Sequence, residues 1–280
     1  MTIRALAEGG AVRVVAVELT DAAIEAVGRH ALAGDAVQLM SEAMCATALL
    51  AAHIKGEERI MLELQASKPR CSALVEVGAD GQVRARMRPT TLLGMRDGVL
   101  QGIAAVIKSD AERELYRGTT EVATETLESA LSKHLSVSSQ VDAFVRIGFE
   151  AEAGQPTFVG GFLVERLPAS DELPTIERDE FALRVAPPLQ LEPVHSVLDQ
   201  LREGRLLADS VQTLERAPFR WACRCSLEKV ESTLASLGAA ELQDMAHTDG
   251  QAEVICHFCN EAYIVDAPRL LELMEALDNV

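Results

Sequence analysis

Basic residues are scarce in this chain, and the shortage is greatest near its C-terminus. The 280 residues include 26 lysines and arginines against 43 aspartates and glutamates, a formal net charge of -17. Between residues 219 and 280, four basic residues stand against eleven acidic ones. Because nucleic-acid binding depends on neutralising phosphates with Lys and Arg, we expect no nucleic acid among the partners.

Long apolar segments are also missing. Arg4 and Glu8 interrupt the first ten residues, so none of them forms the apolar run of a signal peptide. The longest apolar run, residues 43–54, is too short to cross a bilayer and contains Thr47 and His53. We therefore expect a soluble, cytoplasmic protein with no membrane partner, whose thiols are normally reduced.

Common catalytic signatures are absent. The sequence has no His-Glu-x-x-His, no P-loop, no G-x-G-x-x-G after a strand and no G-x-S-x-G. Cys45 falls in an apolar helical pattern without a neighbouring base, and Cys71 has no partner at metal-ligand spacing. We interpret both as structural and predict that the protein is not an enzyme.

The sequence does have four cysteines arranged as two short-spaced pairs near its C-terminus. Cys223-x-Cys225 and Cys256-x-x-Cys259 are separated by residues 226–255. A folded spacer can bring such half-sites together as a tetrahedron of sulfurs about 2.3 Å from one Zn²⁺. The pattern predicts one zinc ion per chain, although a pair of surface disulfides is the alternative. Four thiolates would leave no open position for a hydrolytic water, and His257 is a competing ligand that the tetrahedron does not need.

Residues 1–168 predict an α+β domain, because runs of strands are interrupted by helices rather than strictly alternating with them. The helix that begins at Asp35 is apolar on most faces and should be the central, buried one. The predicted strands are residues 11–19, 59–65, 71–77, 82–88, 100–107, 141–149 and 158–167, and the other predicted helices are residues 21–33 and 120–135.

Residues 169–218 differ in character, since six of the ten prolines lie between residues 168 and 218. Two groups of apolar residues separated by Gly204 nevertheless recur at helical spacing. They are Val194, Val197, Leu198 and Leu201, followed by Leu207, Val211 and Leu214. We predict a helical linker of two short amphipathic helices that need an apolar surface to lean on, the alternative being an ordinary interdomain connector.

Residues 219–280 predict a small module around the cysteines. A helix should begin near Leu227 and end at Gly238, a strand should cover residues 253–255, and Asp266 should cap the last helix. So small a module has few apolar groups to bury, and the bound metal should hold it folded.

These cysteines carry a family resemblance. Cys223-x-Cys225-Ser226 followed by Cys256-x-Phe258-Cys259-Asn260-x-x-Tyr263 resembles the heat-shock protein 33 family, the redox-regulated cytosolic chaperonins of bacteria. The spacer of residues 226–255 suits the family. The resemblance extends to most of the chain, through residues 44–54, 61–65, 116–118 and 160–163.

The resemblance implies an ATP-independent chaperone that holds unfolding client proteins. In the reduced state Zn²⁺ would keep it inactive; oxidants such as hypochlorite, or peroxide with heat, would oxidise the four ligands and release the metal. The family's disulfides would correspond to Cys223–Cys225 and Cys256–Cys259, and the active form would be a homodimer. Once released, the apolar linker residues from Val194 to Leu214 would be available to clients.

Two other classes of protein remain open at this stage. One is a constitutive zinc-ribbon adaptor in which the metal is purely structural, and which should retain zinc in excess peroxide. The other is a thiol-disulfide enzyme that uses Cys256 and Cys259, although the sequence offers no thioredoxin-like context for it.

Overall fold

A computed structural model of the chain describes residues 1–137, 142–168, 176–206 and 209–278. The chain divides into two compact units, Met1–Ala222 and Cys223–Val280. The described part of the predicted linker belongs to the first unit. Among the described residues, no helix is both long and apolar enough to span a bilayer.

The first unit contains two sheets of mostly antiparallel strands. In spatial order, the five-stranded first sheet consists of Ala143–Glu152, Gln155–Arg166, Val12–Glu18, Thr2–Ala7 and Gln212–Ala217. The six-stranded second sheet consists of Arg220–Trp221, Gln82–Arg88, Arg70–Gly78, Arg59–Lys68, Val99–Ser109 and Glu114–Thr126. Two further two-stranded pairs join Ala33–Gly34 to Thr91–Leu92 and Arg205–Leu206 to Asp209–Ser210.

The helix Asp35–Leu50 packs between the two sheets, as the sequence predicts for the central helix. Thirteen of its sixteen residues are buried, which explains why its sequence is apolar on most faces. The two buried hydroxyls, Ser41 and Thr47, donate to the carbonyls of Val37 and Ala43 at 2.8 and 2.7 Å, so neither is left without a partner. The other helices of this core are Thr20–His30 and Leu127–Val137.

The first sheet is buried on both faces. Val15 and Val17 of the strand Val12–Glu18 point into the core around the central helix, while Val14 and Ala16 point into a second core. This double burial accounts for the nearly continuous apolar run of that strand.

The predicted linker covers the outer face of the first sheet. Its helical segments are Arg178–Glu180, Phe181–Val185, Ala186–Leu191 and Val194–Arg202. In the last of these, which we call the linker helix, Val194, Val197, Leu198 and Leu201 are 0–7% exposed. They pack in the same core as Phe162 and Phe144 of the sheet. The first amphipathic helix of the linker and its apolar support are therefore confirmed.

The prediction of a second linker helix is wrong. Where residues 207–214 were expected to be helical, the structure has the strand Asp209–Ser210 and then the strand Gln212–Ala217, which pairs antiparallel with Thr2–Ala7. Leu207 lies outside the described residues. Pairing with a strand from the far end of the chain overrides the local apolar spacing.

Two other expectations differ from the structure. Residues 120–126 end the strand Glu114–Thr126, and the helix begins only at Leu127. Residues 2–7 form a strand that the sequence analysis did not predict. The remaining strands and helices of the domain lie within a few residues of their predicted limits.

The second unit is a small module with its own core. It contains the helices Leu227–Ala235, Ala239–Asp244, Met245–Asp249 and Ala267–Asp278 and the hairpin strands Gln251–Ile255 and Ala262–Asp266. Asp266 accepts a hydrogen bond from the Arg269 amide at 3.1 Å, as expected for the cap of the last helix. Val230, Leu234, Leu242, Val265 and Leu270 are its larger buried aliphatic residues.

Candidate metal centre

The first cysteine pair lies immediately before a helix. Ser226 follows Cys225 in extended backbone and caps the helix Leu227–Ala235, its hydroxyl accepting from the Lys229 amide at 3.3 Å. The Lys229 ammonium donates to the Arg224 carbonyl at 2.6 Å. These contacts fix the backbone on which Cys223 and Cys225 stand.

The second pair lies in the turn of the hairpin. Beyond the last strand pair, Ile255 with Ala262, the Cys256 amide donates to the Glu261 carbonyl at 2.9 Å. The Asn260 amide donates to the Cys256 carbonyl at 2.8 Å. Asn260 has a φ of 55°, a left-handed conformation that asparagine tolerates better than most residues. The turn therefore points both sulfurs of the pair to one side.

The structure brings all four predicted ligands together. The Sγ atoms of Cys223 and Cys256 are 3.6 Å apart, those of Cys225 and Cys259 are 3.4 Å apart, and all four lie within 4.8 Å of one another. Four sulfurs about 2.3 Å from one zinc ion would be separated by about 3.8 Å. The spacing and the all-sulfur donor set thus fit a structural zinc site.

The thiols of Cys223, Cys256 and Cys259 have pKa values that are shifted in different directions. Burial raises the pKa of Cys256, but the amides of Phe258 and Cys259 and the neighbouring thiols outweigh it and lower that pKa to about 7. Burial raises the pKa of Cys223, and burial together with the neighbouring thiols raises that of Cys259. Four thiols so close together resist full ionisation on their own, and a divalent cation would compensate the charge.

Tyr263 is a member of the site whose role the sequence analysis did not assign. Its hydroxyl donates to the Cys225 sulfur at 3.1 Å, and this bond raises the pKa of the phenol. Such outer contacts orient metal ligands. The signal was present in the sequence as a tyrosine four residues after the last cysteine.

The other candidate residues lie outside the cluster. Among the described residues, the group able to hold a metal consists of the four cysteines alone, and His257 is exposed. Cys45 and Cys71 are buried in the first unit, and burial raises the pKa of both thiols. A buried, protonated thiol is a poor nucleophile, which agrees with the structural role predicted for both.

The residues predicted to bind clients lie on different elements and differ in burial. Val194, Val197, Leu198 and Leu201 come together, but on the buried face of the linker helix. Val211 is half-buried at the edge of the same core, and Leu214 lies on the strand Gln212–Ala217. A client could reach the four helix residues only if that helix left the sheet.

The chain is similar to known proteins over nearly its whole length. The model of the family described as Hsp33 protein matches residues 1–266. A 33 kDa chaperonin of Bacillus pumilus is 31% identical over 286 residues, with 98% of each chain covered. The 33 kDa chaperonin of Gloeobacter violaceus is also 31% identical, with 98% of this chain and 95% of that one covered.

A solved structure has the same fold. The crystal structure of the 33 kDa chaperonin of Thermotoga maritima, a heat shock protein 33 homolog, superposes with a TM-score of 0.82. The match covers 100% of this chain and 99% of that one at 22% identity. At that identity the likeness concerns the fold.

Proposed function

The chain belongs to the Hsp33 family, and we propose that it is a chaperone that holds unfolding proteins without ATP and is activated by oxidation of its cysteines. Chaperone function is supported by the family match over residues 1–266 and by relatives named 33 kDa chaperonin. The observation that carries redox control is the cluster of four sulfurs within 4.8 Å.

In the reduced state we propose one Zn²⁺ per chain, held by Cys223, Cys225, Cys256 and Cys259. When bound, the ion supplies a cross-link between the two half-sites of the module. The module needs such a cross-link because its core contains few large apolar side chains. In zinc-finger peptides the metal contributes roughly 10–16 kcal/mol, so loss of the cross-link should unfold a unit of this size.

Oxidation would act on the sulfurs themselves. Two thiolates give two electrons to one peroxide, which takes up two protons and leaves as two waters while one disulfide forms. Disulfide sulfur is a poor metal donor, so each disulfide removes two ligands from the site. The pairing Cys223–Cys225 and Cys256–Cys259 stays a prediction, because all four sulfurs are close to one another.

The linker would connect the module to client binding. We propose that residues 1–168 form the chaperone domain, residues 169–218 a metastable linker and residues 219–280 the switch. The linker helix, Val194–Arg202, is too short to persist in water without the sheet beneath it. Its release would expose the buried side chains from Val194 to Leu201 together with the sheet face that they cover, and these surfaces would bind the apolar segments of unfolding clients.

The decisive experiment compares the reduced and the oxidised protein. Zinc-loaded reduced protein should leave the aggregation of a heat-denatured client unchanged, whereas protein treated with peroxide at elevated temperature should suppress it. Zinc release, followed with a chelating dye, should accompany the gain of activity. Zinc retained in excess peroxide, with equal client binding in both states, would favour the constitutive adaptor instead.

The oligomeric state and the cellular location are further parts of the proposal. We expect a homodimer in the oxidised state, which light scattering or analytical ultracentrifugation would detect, and we expect the protein to act in the cytoplasm on unfolded clients. A monomer with full holdase activity would contradict the dimer while leaving the chaperone function intact.

A further inference from the structure

One edge of the first sheet is closed by the strand Gln212–Ala217, which shortly precedes the module in the sequence. The N-terminus and Glu18 exchange two backbone hydrogen bonds, one of them 2.7 Å long from the Glu18 amide to the Met1 carbonyl. In an antiparallel pair such double bonds recur at every second residue. The amides of Ile3 and Ala5 therefore face the strand Val12–Glu18, whereas those of Arg4 and Leu6 face the strand Gln212–Ala217.

The opposite edge of the same sheet is closed differently. There the outward amides of Val145 and Ile147 donate to Ser132 Oγ at 3.2 Å and to Glu128 Oε2 at 2.7 Å. Both acceptors belong to the helix Leu127–Val137 of the first core. The cover of this edge therefore does not depend on the residues that follow the linker helix.

The segment that closes the first sheet continues onto the second. The amides of Arg220 and Ala222 donate to the carbonyls of Gly81 and Val83 at 3.0 and 2.9 Å. Gly81 allows the close approach, because a Cβ there would lie 2.3 Å from the Pro218 carbonyl oxygen. Residues 212–222, which we call the closing segment, thus cover one edge of each sheet and end directly before Cys223.

We propose that the edge of Thr2–Ala7 is a binding site for extended segments of client backbone. The proposal rests on the proposed function: when the module unfolds, residues 212–217 leave this edge and a client segment adds to it as an antiparallel strand. The present occupant shows that the edge accepts such a strand, with a bulge after Arg4. Main-chain bonds do not depend on side-chain identity, which suits a partner defined only by being unfolded.

The surroundings favour apolar clients. Ile3 and Ala5 are 1% and 0% exposed and share a core with Phe162, Leu198 and Leu201. Release of the linker helix would leave that face of the edge strand apolar and uncovered. An added strand would therefore place every second side chain on this face, and apolar side chains would fit it best.

Amide hydrogen exchange tests the proposal residue by residue on the full-length protein, with reduced and carboxymethylated α-lactalbumin as an unfolded client. In the reduced, zinc-loaded protein, the amides of Arg4 and Leu6 should be protected. Oxidation should remove this protection, and the client should restore it. The amides of Ile3 and Ala5 should stay protected throughout, since they bond to the inner strand.

A matched pair of variants tests the closure itself. Glu215 pairs with Arg4, so its amide faces the edge strand, whereas the amide of its neighbour Arg216 faces away. Glu215→Pro should remove the protection of Arg4 and Leu6 in the reduced protein, and Arg216→Pro should preserve it.

The outcomes separate the two proposals. Oxidised protein that prevents aggregation while client leaves Arg4 and Leu6 unprotected would overturn the edge site and leave the chaperone function standing. Amides that stay protected after oxidation in an active protein would overturn it as well. Oxidised protein without holdase activity would refute the proposed function, and the edge site with it.

Discussion

Gly148 offers a way to loosen the linker without changing any linker residue. It lies on the strand Ala143–Glu152, under the start of the linker helix. A Cβ at this position would lie 2.9 Å from Cε1 of Phe158 and 3.1 Å from Cβ of Val194. The backbone of the linker helix fixes the position of the Val194 Cβ, which no side-chain rotation can move, so Gly148→Ala should push the helix off the sheet.

The size of the effect follows from the two contacts. Overpacking by one carbon typically costs 1–3 kcal/mol, about half of which a shift of the Phe158 ring could relieve. We therefore expect docking to weaken by about 0.5–1.5 kcal/mol. At 1.4 kcal/mol per factor of ten, the undocked population should rise by roughly 2- to 12-fold.

Limited proteolysis of the reduced, zinc-loaded protein measures that population. Trypsin should cut Gly148→Ala faster than the wild type at Arg184 and Arg202, and the variant should suppress aggregation before any oxidation. Gly28→Ala is the control, because a Cβ at Gly28 would meet no atom within 4 Å.

Two results would refute the reasoning. Wild-type cutting rates in a variant with a lowered melting temperature would mean that the strain falls on the sheet and not on the linker helix. Faster cutting without any holdase activity in the reduced state would mean that release of this helix does not expose the client surface.

Three further predictions concern single side chains. Cys225→Ser should lose stoichiometric zinc in elemental analysis, whereas Cys45→Ser should retain it. Tyr263→Phe removes the donor to the Cys225 sulfur and should weaken zinc affinity about 10- to 100-fold in chelator competition. Burial outweighs the hydrogen bond from Gln38 and raises the pKa of Glu42 to about 7. The folded protein should therefore hold a proton that the unfolded chain has already lost, and its stability should fall by roughly 3 kcal/mol as pH rises from about 4.5 to 7. Glu42→Gln should flatten that slope in denaturant titrations, and an unchanged slope would contradict the assignment.

The cysteine cluster could be predicted from the sequence because its signal is local. Two short-spaced cysteine pairs around a folded spacer are typical of a zinc site, and the structure brings their four sulfurs within 4.8 Å. The central helix could be predicted as well, since a long apolar run with neither proline nor glycine favours a buried helix. In both cases the residues that determine the structure are neighbours in the chain.

The errors arose where distant residues decide the structure. Val211 and Leu214 have the spacing of one helix face, but Leu214 lies in the strand Gln212–Ala217, which forms because it pairs with Thr2–Ala7 at the other end of the chain. Residues 2–7 have a weak pattern of their own and form a strand because they pair with both Val12–Glu18 and Gln212–Ala217. Thr120 and Val122 belong to the strand Glu114–Thr126. The apolar spacing of the helix that follows continues back to residue 120, so the predicted helix began too early.

Loop-closure entropy does not couple the module to the linker. Unfolding the module turns residues 223–280 into a flexible chain attached at residue 222, and this chain lengthens no loop within the first unit. We therefore expect the coupling to act on the contacts of the closing segment, which is the covalent connection between the two units.

Trp221 can report whether those contacts break. It is the sole tryptophan, lies two residues before Cys223, and packs edge-on against His30 with ring centroids 6.3 Å apart. If the closing segment leaves the second sheet, Trp221 moves from this half-buried position into water. Its fluorescence emission should then shift to longer wavelength with the time course of zinc release, and shift back when dithiol and zinc are restored. Unchanged emission in a protein that has lost its zinc and gained full activity would mean that residues 220–222 stay docked, and that the signal reaches the linker by another route.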